Sequence, residues 1–463
     1  MPERFLEIPG FFGGIKPLRY EAQVQDLEVE GEIPRELGGT LYRCGPNRFY
    51  PTSPTDTIIN GDGLVSMYRI ADGHADFRCR YVRTERLSRE LAARRRLYGD
   101  YRNPYTDDPS VAGTDRDNTA NTNVVFHHGR LFALREDSRP TQLDPDTLDT
   151  LGTYDFGGQL RSKSVTAHPK FDPATGEWWS HGFFAAGDVT TDDLSLQVIG
   201  PDGKLAREHW FQGPYPGLTH DFAVTREHVV FPVMPLTTDL ERLKRGGSFY
   251  AYDPALPACF GVLRRDGTQA PRWFKRHGAF MGHIMNAFTE GSKIHVDATI
   301  SRGNGFAFLP DVFGNKPDPE DTVATVSRLT FDLDSEGSDF TVSPFHTAVG
   351  EMPACDPRRA MDRYRYGYLR CRSGIGKLDW LSGRLALHTT PDASASEPVF
   401  VPRHADAAED EGYLLFVATR FKEHRSDLII ADAANMEAPP LAICKLPFAA
   451  PYSFHGSWAS RPK

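Results

Sequence analysis

Four histidines stand in segments whose composition suits buried strands. His220 opens the run GLTHDFAVTREHVVFPVMP, where Val224, Val229, Val230, Phe231 and Val233 are β-branched or aromatic. His168 lies in TAHPKFD, His283 in FMGHIMNAF and His455 in YSFHGSW. A ring at the mouth of a buried strand points into the interior while the strand holds it rigidly. Four such rings converging on one point would bind a transition-metal ion, since imidazole is a good ligand for iron, copper, nickel and zinc. Taken singly, each of the 16 histidines is as well explained by a structural or exposed role. His127 and His128 flank a turn at Gly129, and His74, His404 and His424 stand among charges, so these five are expected at the surface. His181, His295, His346 and His388 lie in strand-like runs and read as core histidines. The six cysteines, Cys44, Cys79, Cys259, Cys355, Cys371 and Cys444, form no C-x-x-C pair. That spacing argues against a thiolate zinc site and for reduced thiols in a cytoplasmic protein.

The elements that must position these rings are mostly short strands. TNVVFHHGRLFAL, SGRLALHTT and EGYLLFVATR are examples, cut by turn chemistry in HHGR, DPDTL, DPATGE, GPDGK and DLDSEGS. The 41 glycines and 35 prolines suit many tight connections. Helical signals are few: Thr84 to Leu97, with Thr84 as a capping residue, and a short one over Asp239 to Arg245. Many short strands with frequent turns mean a sandwich, a barrel or a propeller. The histidine spacing favours the last. His168, His220 and His283 follow one another at steps somewhat above the roughly 40–50 residues of a compact propeller blade, and His455 comes about three such steps later. One ligand from the inner strand of each successive blade, with two blades skipped, would place all four on the axis. No segment reads as a linker, so residues 1–463 are expected to form one propeller domain.

Composition excludes several classes. A hydrophobic content of 40% with 25% charged residues marks a globular chain. The net charge of −9 speaks against a nucleic-acid partner. No run of 18 apolar residues is present to span a membrane, and MPERFLEIPGFFGG lacks the basic and apolar regions of a secretory leader. A homodimer is compatible with all of this.

Several motifs carry a family resemblance over nearly the whole length. In order they are INGDGLVSMYRI (Ile59 to Ile70), YRNPYTDDPSV (Tyr101 to Val111), ANTNVV (Ala120 to Val125), LREDSRP, TAHPKFDPATGE, THDFAVT, EMPACDPR, EPVFVPR and FHGSW. With these the chain resembles the carotenoid cleavage oxygenases, the family of the retinal pigment epithelial membrane protein, and within it the bacterial lignostilbene dioxygenases and isoeugenol oxygenases. The resemblance implies an all-β, seven-bladed propeller with a few short helices and a loop-built cap over an axial non-haem Fe(II). The ion would be held by His168, His220, His283 and His455. Glutamates of the family accept the other ring N–H of such ligands, and the matching residues are Glu136, Glu351 and Glu397. A threonine of the family crowds a vacant coordination position; Thr122 matches it, strand packing being the equal alternative.

The reaction this implies is addition of O2 across an alkene and scission into two carbonyl products. For the stilbene-cleaving group the expected substrate is a 4-hydroxystilbene of lignostilbene or resveratrol type, giving two aromatic aldehydes. The alternatives are side-chain cleavage of a phenylpropene or vinylphenol, such as isoeugenol to vanillin, and apocarotenoid cleavage. In that group a tyrosine and a lysine hold the substrate's 4-hydroxyl. Tyr101 matches the tyrosine, but Arg135 stands where the lysine is expected, and Ile59 replaces an aromatic residue that flanks the substrate ring. An arginine keeps its charge and offers forked donors, so Arg135 would either steady a phenolate or pair with Glu136 or Asp137 and never meet substrate. Phe306 and Phe308 are candidates for the wall of an apolar substrate tunnel, with core packing as the alternative.

Overall fold

Turn residues set the hairpins from which the molecule is built. In the computed structural model, which describes Phe5 and residues 17–460, Asn123–His127 returns as Arg130–Leu134 across a two-residue turn. His128 and Gly129 both sit at positive φ there, 47° and 72°, as a turn matching the right-handed twist of the strands requires. The stretch read above for a leader lies outside the described residues, apart from Phe5.

Seven antiparallel sheets of four to six strands follow from such hairpins, arranged as the seven blades of a propeller. Four blades are each made of four consecutive strands, within 123–153, 170–212, 280–349 and 351–389; a fifth occupies 217–276. The other two draw on both ends of the described chain. His455–Ser460 pairs with Gly39–Asn47, with Cys44 opposite His455, and Glu28–Gly31 pairs with Ala442–Lys445. These two overlaps close the ring, so no blade edge is left to be joined only by loops.

Each sheet turns one edge strand to the axis, and those edge strands carry the residues singled out above. Going round the ring, the axial strands or their flanks hold His455, Thr122, His168, His220, His283, Glu351 and Glu397. The two blades between His283 and His455 are therefore those of Glu351 and Glu397. Between blades the faces are packed with large apolar side chains, among them the fully buried Trp178, Phe77, Phe183 and Tyr413. Burial of a side chain of this kind contributes about 1.5–3 kcal/mol. Packing of this density fixes the axial backbones, which a multi-ligand site needs.

The helices are short and lie outside the blades. One spans Glu85–Ala93, with the Thr84 hydroxyl accepting from Leu87 N–H as the sequence predicts. It stops before the expected Leu97: Arg94 turns left-handed at φ 54°, and the Glu90 carboxylate takes the N–H groups of Leu97 and Tyr98 at 2.9 and 3.1 Å. Those bonds pull the chain across the helix end instead of prolonging it. The second helix, Leu240–Lys244, is capped by Asp239. Among the described residues no helix is long and apolar enough to cross a membrane.

Candidate metal centre

His168, His220, His283 and His455 come together on the axis. The ring centroids of His168 lie 4.5, 5.0 and 4.5 Å from those of His220, His283 and His455. His283 lies 4.8 Å from both His220 and His455. The donor nitrogens of His168, His283 and His455 all fall within 4.8 Å of one another, and His220 joins them through its Nε2, 3.0 Å from Nε2 of His283.

Three carboxylates fix the rings from behind. Glu136 accepts from His220 Nδ1, Glu351 from His283 Nδ1 at 2.8 Å, and Glu397 from His455 Nδ1 at 2.8 Å. An ionised carboxylate can only accept, so each Nδ1 carries the hydrogen and each Nε2 presents a bare lone pair inward. Among the described residues His168 has no carboxylate partner. Its Nε2 is buried with no hydrogen-bond partner among the described residues. Burial, together with the neighbouring His455, His220 and His283, pushes its pKa well below the ordinary imidazole value. The Glu351–His283 pair behaves oppositely. Burial disfavours charge on both, yet His283 draws Glu351 down to about 2 and Glu351 lifts His283 above its usual value.

The three inward lone pairs, with the unpartnered Nε2 of His168 beside them, call for a cation between them. Two imidazole nitrogens bound at right angles, each about 2.1 Å from a metal, stand about 3 Å apart, which is the separation of the His220 and His283 Nε2 atoms. The charge count also fits: a divalent ion, three glutamates and Arg43, which pairs with Glu397 at 3.1 Å, come to neutrality. The donor set suits a divalent first-row metal.

The surroundings hold this arrangement tightly. Thr299 Oγ1 donates to Glu351 Oε1 at 2.7 Å and accepts from His283 N–H at 2.9 Å. A Cβ at Gly282 would lie 2.2 Å from that same Oε1, so only glycine lets the glutamate approach. Asp221, next to His220, meets Lys170 at 2.8 Å and accepts from Ile284 N–H at 2.8 Å, tying together the three blades that carry His168, His220 and His283. Phe306 stands edge-on to His220 with centroids 5.4 Å apart and continues into Phe308 at 5.7 Å. Phe308 is 41% exposed, a rim residue and not an interior wall. It borders a cleft of about 830 Å³ lined by the aromatic side chains of Tyr101, Phe249 and Phe313 and by polar ones such as Asp239, Arg242 and Asp311.

Tyr101 and Arg135 form a second buried group beside the centre. Arg135 lies 4.9 Å over the Tyr101 ring. Its Nε donates to Asp137 Oδ1 at 2.7 Å, and its Nη1 donates to Ile59 O at 3.0 Å and to Thr119 Oγ1. Asp137 also meets Arg102 at 2.7 Å and accepts from the Tyr101 hydroxyl at 3.0 Å. Arg135 is thus paired with Asp137, one of the two neighbours the sequence offered it. Burial would raise the Asp137 pKa, but the two guanidinium groups hold it below the usual carboxylate range. Residues 135–137 therefore serve both groups: Glu136 reaches His220, and its two neighbours turn toward Tyr101. Thr122 makes its hydroxyl contact with Asn121 Oδ1, at 3.1 Å.

Sequence reasoning missed Arg43, Thr299, Arg102 and the positioning role of Asp137. Arg43 is 354 residues from Glu397, and no local pattern links such partners. Gly282, directly before a candidate ligand, was the one signal of a close approach.

Comparison with known proteins agrees with this geometry. Residues 15–460 match the family model described as retinal pigment epithelial membrane protein. The chain is 40% identical to isoeugenol monooxygenase of Pseudomonas nitroreducens, over 98% of each chain. It is 38% identical to lignostilbene-alpha,beta-dioxygenase isozyme III of Sphingomonas paucimobilis, over 99% of this chain and 98% of the relative. The crystal structure of Pseudomonas brassicacearum lignostilbene dioxygenase superposes with a TM-score of 0.95 at 40% identity, covering 99% of this chain and all of the other.

Proposed function

Since the chain belongs to the retinal pigment epithelial membrane protein family of carotenoid cleavage oxygenases, we propose that this alkene-cleaving dioxygenase acts on 4-hydroxystilbenes of the lignostilbene or resveratrol type, splitting the interphenyl double bond into two aromatic aldehydes. The observation that carries the reading is the pairing of two features: inward imidazoles clamped by carboxylates, and a buried tyrosine, Tyr101, joined to them through residues 135–137 and bordering a cleft of aromatic and polar side chains. His168, His220, His283 and His455 would hold Fe(II), with Glu136, Glu351 and Glu397 fixing the tautomers of three of them. Iron bound there supplies the site at which O2 is bound and activated.

The chain's own groups do the rest. Phe306 packs edge-on against His220 and keeps water from that side of the ring. Phe306 offers an apolar face to a flat substrate beside His220, Phe308 stands at the rim, and Tyr101 anchors a polar end of the substrate. Holding one double bond at a fixed distance from the centre, in a dry site, converts a bimolecular encounter into a positioned one. Thr122 is proposed to narrow the approach on its side of the ring. In the overall balance both atoms of O2 end as carbonyl oxygens and the C=C bond is lost, so no external reductant enters. The relatives named for lignostilbene and isoeugenol bracket the substrate class, long and short.

Iron-loaded protein given resveratrol-type stilbenes, isoeugenol and an apocarotenal, with O2 uptake and product masses recorded, tests the proposal. The expected result is one O2 consumed per stilbene cleaved, with hydroxybenzaldehyde-type products carrying label from 18O2 in both halves. No O2 uptake with any hydroxystilbene, alongside vanillin from isoeugenol, would move the assignment to the short substrate.

A further inference from the structure

A cavity of about 350 Å³ adjoins the Tyr101 group and has Asp137 and Arg102 in its wall. That volume lies in the range of small-ligand sites. Ser138, Arg139, Lys163 and the rings of Phe183 and Phe184 line it further. It shares no lining residue with the cleft bordered by Tyr101 and Phe308.

Two polar groups of this wall are buried and unmet. Ser138 is 7% exposed, and its Oγ has no hydrogen-bond partner among the described residues. The same holds for Nε of Arg102, whose side chain is 8% exposed. An unmet donor in the interior is destabilising, and native proteins rarely carry one without a ligand or an ordered water to satisfy it. Nor is Ser138 loosely placed. Its N–H donates to Arg135 O at 3.3 Å, and its carbonyl accepts from Val165 N–H at 3.1 Å.

The charges of the wall give the sign of the missing partner. Asp137 meets Arg135 and Arg102, both at 2.7 Å. Asp117 meets Arg116 at 3.0 Å and Arg102 at 3.6 Å, and Asp107 takes Arg116 at 2.7 Å. Those three guanidinium groups and three carboxylates balance. Left over in the wall are Arg139 and Lys163 against Asp115, a surplus of one positive charge. Neither cation meets a carboxylate among the described residues. Main-chain carbonyls hold Arg139 instead, its Nε donating to Ser162 O at 3.3 Å and its Nη2 to Leu160 O at 3.0 Å. This fixes the guanidinium while its charge stays uncompensated.

We propose that this cavity binds a small aromatic carboxylate of hydroxybenzoate size, its carboxylate on Arg139, Lys163 and the Ser138 hydroxyl and its ring against Phe183 and Phe184. A carboxylate supplies the acceptors these donors lack, and the planar fork of an arginine matches it. A flat ring suits the two phenylalanines, whose own centroids lie 5.1 Å apart. The site goes beyond the stilbene reading and does not depend on it.

Isothermal titration calorimetry of the purified, iron-loaded full chain tests this with sodium 4-hydroxybenzoate and 4-hydroxybenzamide, which share ring and size and differ in charge. The acid should bind at one site per chain, about tenfold more tightly than the amide, the scale of one charge-assisted hydrogen bond. Arg139→Gln and Lys163→Met should each weaken the acid about tenfold while leaving the amide and the iron content unchanged. Ser138→Ala should weaken the acid about fivefold without lowering Tm, since the hydroxyl removed has no partner in the ligand-free protein. Equal Kd for acid and amide overturns the proposal, as does an acid Kd that neither cation variant moves. Binding lost in Tyr101→Phe but kept in Arg139→Gln and Lys163→Met puts the acid in the substrate cleft and overturns it as well. Absence of binding by either compound overturns it too, and none of these results touches the stilbene reading.

Discussion

The axial histidine cluster and the Tyr101 group lie side by side, joined by residues 135–137, yet they are built on opposite principles. At the cluster, three carboxylates each take one ring N–H, so what remains is a set of bare nitrogen lone pairs facing one another. Only a cation can satisfy that surplus. Around Tyr101 the carboxylates and guanidinium groups take one another, so the charges are spent within the group. At the cluster the unmet hydrogen-bonding capacity, more than the residue types as such, tells what should bind.

Substitutions can break this contrast or sharpen it. The largest effect is expected for His168→Ala. Elemental analysis of protein grown with iron should fall from one iron per chain to below about a tenth, with O2 uptake lost, since metal-binding energy depends on the full ligand set. Next is Arg135→Ala. Were Arg135 to steady a phenolate, activity on hydroxylated substrates would fall further than stability. The buried Asp137 pair predicts the stability loss instead, about 3–5 kcal/mol in denaturant unfolding, because a buried carboxylate loses a partner. Iron content of the folded fraction should stay near the parent's. A variant as stable as the parent would show that Arg135 has another partner than Asp137.

Smaller effects should separate the carboxylates from the rings they hold. Glu351→Gln is expected to weaken metal affinity about 10–100-fold by competition with a chelator, leaving the fold in place. Gly282→Ala should act through the same contact, since the new methyl group meets Glu351 Oε1; overpacking of this kind costs about 1–3 kcal/mol. The smallest effect should come from Phe308→Ala. A rim position changes stability by less than about 0.5 kcal/mol, whereas a loss of substrate affinity in that variant would mark the rim as part of the binding wall.

Much of this was legible beforehand, for identifiable reasons. The propeller follows from turn residues such as His128 and Gly129 and from the spacing of His168, His220 and His283, which are local or nearly periodic signals. The four rings stood out from the other histidines only through the motifs around them. His181 occupies an equally strand-like run and is fully buried, but it packs edge-on against Phe222 at 4.9 Å and is not one of the rings that meet on the axis. Partners across the ring were not legible: Arg43 for Glu397, Thr299 for Glu351, and Asp137 for Arg135 in preference to Glu136. The first two depend on blades closing on one another. The third depends on which way a turn sends neighbouring side chains. Glu90, which ends the first helix by binding Leu97 and Tyr98, is the same case on a smaller scale.

The central claim is that four imidazoles, His220 among them, share one ion. X-ray absorption at the iron edge of the loaded protein counts those ligands directly. The account predicts four imidazole nitrogens at about 2.1 Å, one of which disappears in His220→Ala. A parent spectrum fitted by three imidazoles, unchanged when His220 is replaced, would contradict it.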